Sequence, residues 1–303
     1  MRIASTQYHS TMNTALQSAS ARLEVILQKM ASGQRYMLPS EDPIAAVRMS
    51  RLAREEATLD QYLENISALK DRLTRNEAYL DGINADMLSA RDLMVWAADG
   101  SNTSADLAAM ASSLPPLMNS IFYTANIQDA EGRYEFSGSA TATPTITYDP
   151  AAAVGARYTY TGNMDLQQVV VGNGVMQPAN VVLEEMAALL NQLDTTRDVL
   201  TTPNVSVNDP AVRAVLSATM NGLDDTLESV TSKIATLGGA QNILTTLENN
   251  HANVSLSNKQ AALILGQLDY TDAAVKLNGY TTAVQATQKA YGAVSRLSLF
   301  DVL

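Results

Sequence analysis

Apolar residues near the start of the chain fall at Met12, Leu16, Ala19, Leu23, Ile26 and Met30. Steps alternating between four and three place them on one side of a helix, as a seam for a partner helix. A stricter row follows: Leu52, Leu59, Ile66, Leu73, Leu80, Met87 and Met94 recur at every seventh position. A companion row, Tyr62, Leu69, Asn76, Ile83, Ala90 and Ala97, is interrupted by one amide. Residues 52–94 therefore predict a continuous helical rod of roughly 65 Å, longer than ordinary globular helices.

Turn formers in DGSNTSAD (99–106) end that tract and offer Ser104 as the next helix cap. A third helical stretch runs to about Gln128, with a break expected at Pro115-Pro116, which lack backbone donors and crowd the preceding turn. From EGRYEFSG (131–138) the period changes to two. RYEFSG, TPTITYD, ARYTYTG and LQQVVVGNG read as short strands of a small β region with glycines at its turns. Helix returns at 181–194, and TTRDVLTTPNVSVN reads as a polar linker to Asp209-Pro210, a cap followed by a first-turn proline. The next helix carries Val215, Leu223, Leu227, Val230, Ile234 and Leu237 up to an expected break at Gly238-Gly239. The last tract has Leu256, Leu263, Tyr270, Leu277, Val284 and Tyr291 in steps of seven, with a second row at Tyr280, Thr287 and Val294, and closes on RLSLFDVL.

The layout is near-palindromic: the fold class is mainly α, with long antiparallel helical coiled-coil rods formed by both chain ends and a small β-rich insertion. SGQRYMLPSEDPIAA (32–46) reads as the joint between terminal helix and rod. Gly33 suits a left-handed helix end, and Pro39 drives Leu38 toward extended geometry. Ser40 or Asp42 caps the next helix, with Pro43 in its first turn. An isolated terminal helix of this kind is marginal in water, because about 1–2 kcal/mol of backbone entropy per residue opposes a narrow apolar seam. The two ends are therefore expected to need each other, and neighbouring subunits, to become ordered.

Composition changes the picture by exclusion. A net charge of −11, from 31 acidic and 20 basic residues out of 303, disfavours a nucleic-acid backbone as partner. The absence of cysteine removes disulfides and thiolate chemistry. No apolar run reaches the ~18 residues of a membrane helix, and MRIASTQYHSTMNTALQ has no secretory pattern. The two histidines, His9 and His251, lack any ligand spacing, so each reads as a surface or seam residue and no metal or cofactor is expected. G-N-G at 172–174 lacks the third glycine of a dinucleotide loop and reads as a β turn. Trp96, between Met94 and Ala97, reads as a packing anchor. No nucleophile–base arrangement motivates catalysis, so the protein is expected not to be an enzyme.

Four stretches together carry a resemblance. MRIASTQ, SGQRYMLPSEDPIAA, EGRYEFSG and SLFDVL, collinear along the chain, resemble the flagellin superfamily, and within it the junction proteins between flagellar hook and filament. The ending at Phe300-Asp301-Val302-Leu303 is similar to the junction proteins rather than to filament flagellins. The resemblance implies a terminal coiled-coil assembly domain of residues 1–40 plus 268–303, a helical rod domain of 41–130 plus 182–267, and an outer β-rich domain of 131–181. It implies an N-terminal assembly seam of Met12, Leu16, Leu23, Ile26 and Met30, and a C-terminal seam of Leu277, Tyr280, Val284, Tyr291, Val294, Leu299 and Phe300. The entry to the outer domain is implied at Gly132, Arg133, Tyr134, Phe136 and Gly138.

By the same resemblance the protein would be an extracellular part of the bacterial flagellum, exported by the flagellar type III apparatus without a cleaved signal peptide. A cytoplasmic chaperone would hold its C-terminal helix near Leu277–Val294. It would act as a structural adaptor, joining copies of itself in a ring between hook-associated protein 1 and flagellin, without nucleic acid or membrane. A filament-forming flagellin is the alternative.

Overall fold

The computed structural model describes the backbone of residues 2–300 and the side chains of residues 6–293. The chain forms two compact units, Met1–Thr58 with Ala252–Leu303, and Leu59–His251. In order, its elements are α1 (Arg2–Ser32), α2 (Pro43–Ala97), α3 (Ser104–Ser112), α4 (Leu114–Ala125), β1 (Ile146–Tyr148), β2 (Tyr158–Tyr160), β3 (Gln168–Gly172), β4 (Val175–Pro178), α5 (Glu185–Leu200), α6 (Pro210–Gly266) and α7 (Tyr270–Phe300). The mainly α class with a small β insertion is the observed one.

In the first unit α1 and α7 pack antiparallel. Tyr291 of α7 meets His9 of α1 with ring centroids 5.4 Å apart, and the Tyr270 hydroxyl donates to the Met30 carbonyl at 3.3 Å. Ile26, Leu268 and Ala273 are buried at the centre of this contact, with Leu23, Met30, Leu277 and Tyr280 packed around them. The last tract does not keep one seam throughout. Leu256, Leu263 and Tyr270, expected in the apolar row, are 57%, 63% and 51% exposed. The helix ends at Gly266 and restarts at Tyr270, and that interruption resets which face is buried.

The second unit is built on the middle of α2 and α6. Leu59, Ile66, Leu73, Leu80, Met87 and Met94 are all buried, as are Leu69, Asn76, Ile83, Ala90 and Ala97 of the companion row. From Ile66 onward the apolar residues of both rows share one core with Leu216, Leu223, Val230, Leu237 and Leu244 of α6 and with the apolar sides of α3, α4 and α5. Lys70–Glu248, Glu77–Gln241 and Arg91–Asp224 contacts set the antiparallel register of the two long helices.

Gly238-Gly239 does not break α6. Each glycine costs a helix only about 1 kcal/mol, and buried Leu237 and Leu244 on either side hold the helix to the core. TTRDVL is not a linker either: α5 continues to Leu200, because Leu193, Thr196 and Leu200 keep its buried face running. At α3 the cap is Thr103 rather than Ser104. Its hydroxyl accepts from the Asp106 backbone N–H, and the Asp106 carboxylate accepts from the Thr103 backbone N–H, a reciprocal capping box. The proline break falls at Ser113, between α3 and α4, which places Pro115 and Pro116 in the first turn of α4, where missing N–H donors cost nothing.

The β region holds two separate antiparallel hairpins, β1–β2 and β3–β4. Gly174 turns the second at φ +72°, so G-N-G is a hairpin turn. RYEFSG forms no strand; Tyr134 makes a lone bridge to Gln128, and Phe136 is wholly buried. Trp96 is 61% exposed and does not anchor packing, since Met94 and Ala97 occupy the buried face on either side of it.

Candidate functional site

Three places carry the residues singled out by sequence. The first is the joint. Gly33 closes α1 with φ +70°, and its N–H donates to Lys29 O at 2.9 Å. Asp42, not Ser40, caps α2: its Oδ1 accepts from the N–H groups of Ile44 (3.1 Å) and Ala45 (2.9 Å), with Pro43 at the first helical position. Those Ala45 and Ile44 donors, together with the Tyr36 hydroxyl, hold the Asp42 carboxyl below the usual range. Glu41 pairs with Lys29, accepts from the Met37 N–H, and its carboxyl is likewise lowered, chiefly by that lysine. Pro39 lies in the turn between them.

The partner of this joint escaped sequence reasoning. Residues 267–269 run alongside it: Gln34 and Gln267 form an antiparallel bridge, Arg35 N–H donates to Gly266 O (2.8 Å), and Leu268 N–H to Gly33 O (2.9 Å). Asp269 caps α7 through the N–H groups of Thr271 and Asp272. The signal was present in GQLDYTD, a glycine followed by an Asx cap, but it was masked by the seven-residue spacing running across it. Beside the paired joints lies a cleft of about 840 Å³, lined by Arg35, Tyr36, Glu41, Asp269 and Lys276 among others. Its charges alternate in sign, and most are already engaged with one another.

The second place is the α1–α7 contact. Met12, Leu16, Leu23, Ile26 and Met30 all sit on the less exposed side of α1, and Leu277, Tyr280, Val284 and Tyr291 on that of α7. Within the chain these rows face each other. The side chains of Val294, Leu299 and Phe300 lie outside the described residues.

The third is the entry to the β region. Gly132 (φ +76°) forms a tight loop in which Arg133 pairs with Asp129 (2.8 Å) and Glu131 (3.0 Å). The Tyr134 N–H donates to Thr141 O (2.9 Å), and Phe136 packs edge-on to Tyr79 of α2. Glu135, unmarked by sequence reasoning, is buried and accepts from Arg72 Nε at 2.8 Å, while Arg72 also donates to Gln167 Oε1. Gly138 (φ +77°) is the tightest point: a Cβ there would stand 2.1 Å from the Asn163 carbonyl oxygen. Its own carbonyl accepts from Gln167 and Asn180. The arrangement is a clamp fixing the insertion to α2.

Among the described residues no group of three or more His, Asp or Glu side chains is placed to hold a metal ion, and no helix is long and apolar enough to cross a membrane. His9 lies in the α1–α7 contact, and His251 donates through Nε2 to Val171 O (2.8 Å) beside Tyr62. The two histidines serve packing in different units.

Paired terminal helices, two very long helices and a clamped β insertion define a class of helical structural protein that presents surfaces to be packed. Residues 3–141 match the model of the bacterial flagellin N-terminal helical region. The chain is 26% identical over 290 residues to flagellar hook-associated protein 3 of Escherichia coli K12, covering 91% of each, and 24% identical over 315 residues to that of Salmonella typhimurium LT2, covering 100% of this chain and 99% of the other. A solved structure from Vibrio parahaemolyticus, described as a candidate flagellar hook-associated protein, is 30% identical with a TM-score of 0.67, over 74% of this chain and 99% of that one. The chain belongs to the family of flagellar hook-associated proteins, structural proteins of the flagellum.

Proposed function

We propose that this protein is an adaptor subunit at the junction of flagellar hook and filament, assembled as a ring of its own copies, with hook-associated protein 1 on one side and flagellin on the other. It performs no catalysis. The observation that carries the reading is how little of the terminal helix pair is buried. Among the described residues, Ile26, Leu268 and Ala273 alone form its buried centre, while Val25, Leu27 and Val275 stand 45%, 49% and 68% exposed. At about 25 cal/mol per Å² of buried apolar surface, so narrow a contact offsets little of the entropy of ordering two 31-residue helices. Neighbouring copies packed on the outer faces supply the missing burial.

In this reading the seam rows join α1 to α7 within a subunit, and Val25, Leu27 and Val275 meet its neighbours. Residues 1–40 with 268–303 form the assembly core, 41–130 with 182–267 the rod, and 131–181 the outer domain. Before export by the flagellar type III apparatus, the α7 row from Leu277 onward is the surface a cytoplasmic chaperone covers, in place of α1.

Deleting the gene in its host tests the reading. Hooks without filaments, with flagellin released to the medium, are the expected result; normal filaments overturn it. The match of residues 3–141 to the flagellin N-terminal region favours one alternative, a filament-forming flagellin. Growth of long filaments from the purified protein alone would establish that instead.

A further inference from the structure

The dipeptide Asn-Gly occurs three times in the chain, at Asn173-Gly174, Asn221-Gly222 and Asn278-Gly279, and all three asparagines are exposed. Their backbones differ. Asn221 lies inside α6 and Asn278 inside α7, where each glycine N–H belongs to the helical ladder. Asn173 and Gly174 are instead the two turn residues between the paired Gly172 and Val175, at the tip of the β3–β4 hairpin. Gly174 has φ +72°, and an added Cβ there would meet nothing within 4 Å. The ladder is irregular just below the tip, with a register shift between Val170 and Gly172. Further down it is fastened: Asn65 Nδ2 donates to Val170 O and His251 Nε2 to Val171 O, both at 2.8 Å. The hairpin thus has a fixed base and a tip with room to turn.

We infer that Asn173 is a site of spontaneous covalent modification, converted to aspartate and isoaspartate through a cyclic imide with Gly174. The Gly174 backbone nitrogen attacks Cγ of Asn173 and forms a new Cγ–N bond, while the bond from Cγ to the side-chain nitrogen breaks. That nitrogen leaves as ammonia, taking the proton the glycine nitrogen gives up. Water then adds to one of the two imide carbonyls and breaks its bond to the ring nitrogen. Opening at Cγ gives aspartate; opening at the main-chain carbonyl gives isoaspartate. Nothing is oxidised or reduced. Ring closure requires the asparagine ψ to turn until Cγ faces the next nitrogen, with that N–H free of other bonds. A helix forbids both, holding ψ near −42° and the N–H on the carbonyl four residues back. At Gly222 the Gln192 side chain also crowds the backbone, 1.8 Å from where a Cβ would stand. At the hairpin tip Gly174, lacking a Cβ, lets the turn reach the reactive geometry. Each event makes the net charge of −11 one unit more negative, and isoaspartate lengthens the main chain of a two-residue turn by a methylene. This chemistry does not depend on the protein's place in the flagellum.

Peptide mapping of the full-length protein, aged in mildly alkaline buffer at physiological temperature, tests the assignment. Asn173 should gain one mass unit with time, and electron-transfer fragmentation should identify part of the product as isoaspartate. Asn221, in the same unit, should convert about a hundredfold more slowly, because it reacts only when its helix opens. In concentrated urea, where the helix is gone, the two rates should become comparable. Asn173→Gln, which can close only a less readily formed six-membered ring, should abolish the fast event while leaving the circular dichroism melt unchanged. No conversion at Asn173, equal rates at Asn173 and Asn221 in the folded protein, or fast charge change that persists in Asn173→Gln would each overturn the inference.

Discussion

Arg72 of α2 donates through Nε to the Glu135 carboxylate at 2.8 Å, and the Glu135 side chain is only 3% exposed. This pair, sealed by Phe136 against Tyr79, is how the β insertion is tied to the long helix. Removing one member strands a charge in a nearly dry site. Arg72→Ala should therefore destabilise the protein by about 3 kcal/mol, and Glu135→Gln, which keeps an acceptor, by less. Urea midpoints at constant slope would measure both.

Two glycines in one motif should respond differently to the same substitution. Gly132 and Gly138 both have φ near +76°, yet an added Cβ finds open space at Gly132 and the Asn163 carbonyl at 2.1 Å at Gly138. Gly132→Ala should cost about 1–2 kcal/mol, the price of the left-handed backbone. Gly138→Ala should cost more, since the 137–139 and 163 segments must also separate. Equal losses would show that the loop relaxes freely.

Gly238 and Gly239 sit inside a continuous helix with nothing near the position of an added Cβ. Gly238→Ala should raise stability by about 0.5–1 kcal/mol by narrowing the unfolded ensemble and improving helix propensity. A thermal melt with a higher midpoint and unchanged helical content is the expected outcome.

Acid should loosen the joint and the start of α2. Asp42, held low by the Ala45 and Tyr36 donors, Glu41, held low by Lys29, and Glu56, held low by Lys259 and Ser255, all have folded values below their ordinary 3.8 and 4.5. A depressed carboxyl stabilises the fold fully above its unfolded value and loses that contribution as pH falls through the folded one. Amide protection factors around residues 33–45, corrected for the intrinsic pH dependence of exchange, should thus stay constant from pH 8 to about 5 and fall below about 4. Asp42→Asn, which retains the capping oxygen, should soften that response without loosening the helix start at neutral pH. Loss of protection beginning above pH 5 would point to other groups.

Limited proteolysis of dilute monomer should cut early before about residue 45 and after about residue 265, leaving a resistant middle, if the ends become firm by packing on neighbours. Ends that resist as long as the middle would contradict that account.

Much of this architecture could be read from spacing alone. The row from Leu59 to Met94 and its companion from Leu69 to Ala97 are buried where a period of seven places them. A long helix repeats one local geometry, so its buried face is written directly into the order of residues. Gly33 and Gly138 were legible for the same reason: a backbone conformation that only glycine adopts easily leaves a mark at a single position.

What spacing could not supply is which of two compatible faces finds a partner. Leu263 continues the same period as Leu277 yet stands exposed, because three residues between α6 and α7 rotate the register, and Tyr270, the first residue of α7, is half exposed with its hydroxyl on the Met30 carbonyl. Trp96 looked like core and lies outside it, since Met94 and Ala97 were already enough to fill the face beneath. Gly238-Gly239 looked like a break and is helix, since apolar contacts on both sides outweigh about 2 kcal/mol of unfavourable propensity. Arg72 and Glu135, 63 residues apart, carry no shared local signal. Local order sets which elements exist and which side of each is apolar. Only the meeting of distant segments decides which apolar side is covered, which charge finds its counterpart, and which surface is left exposed.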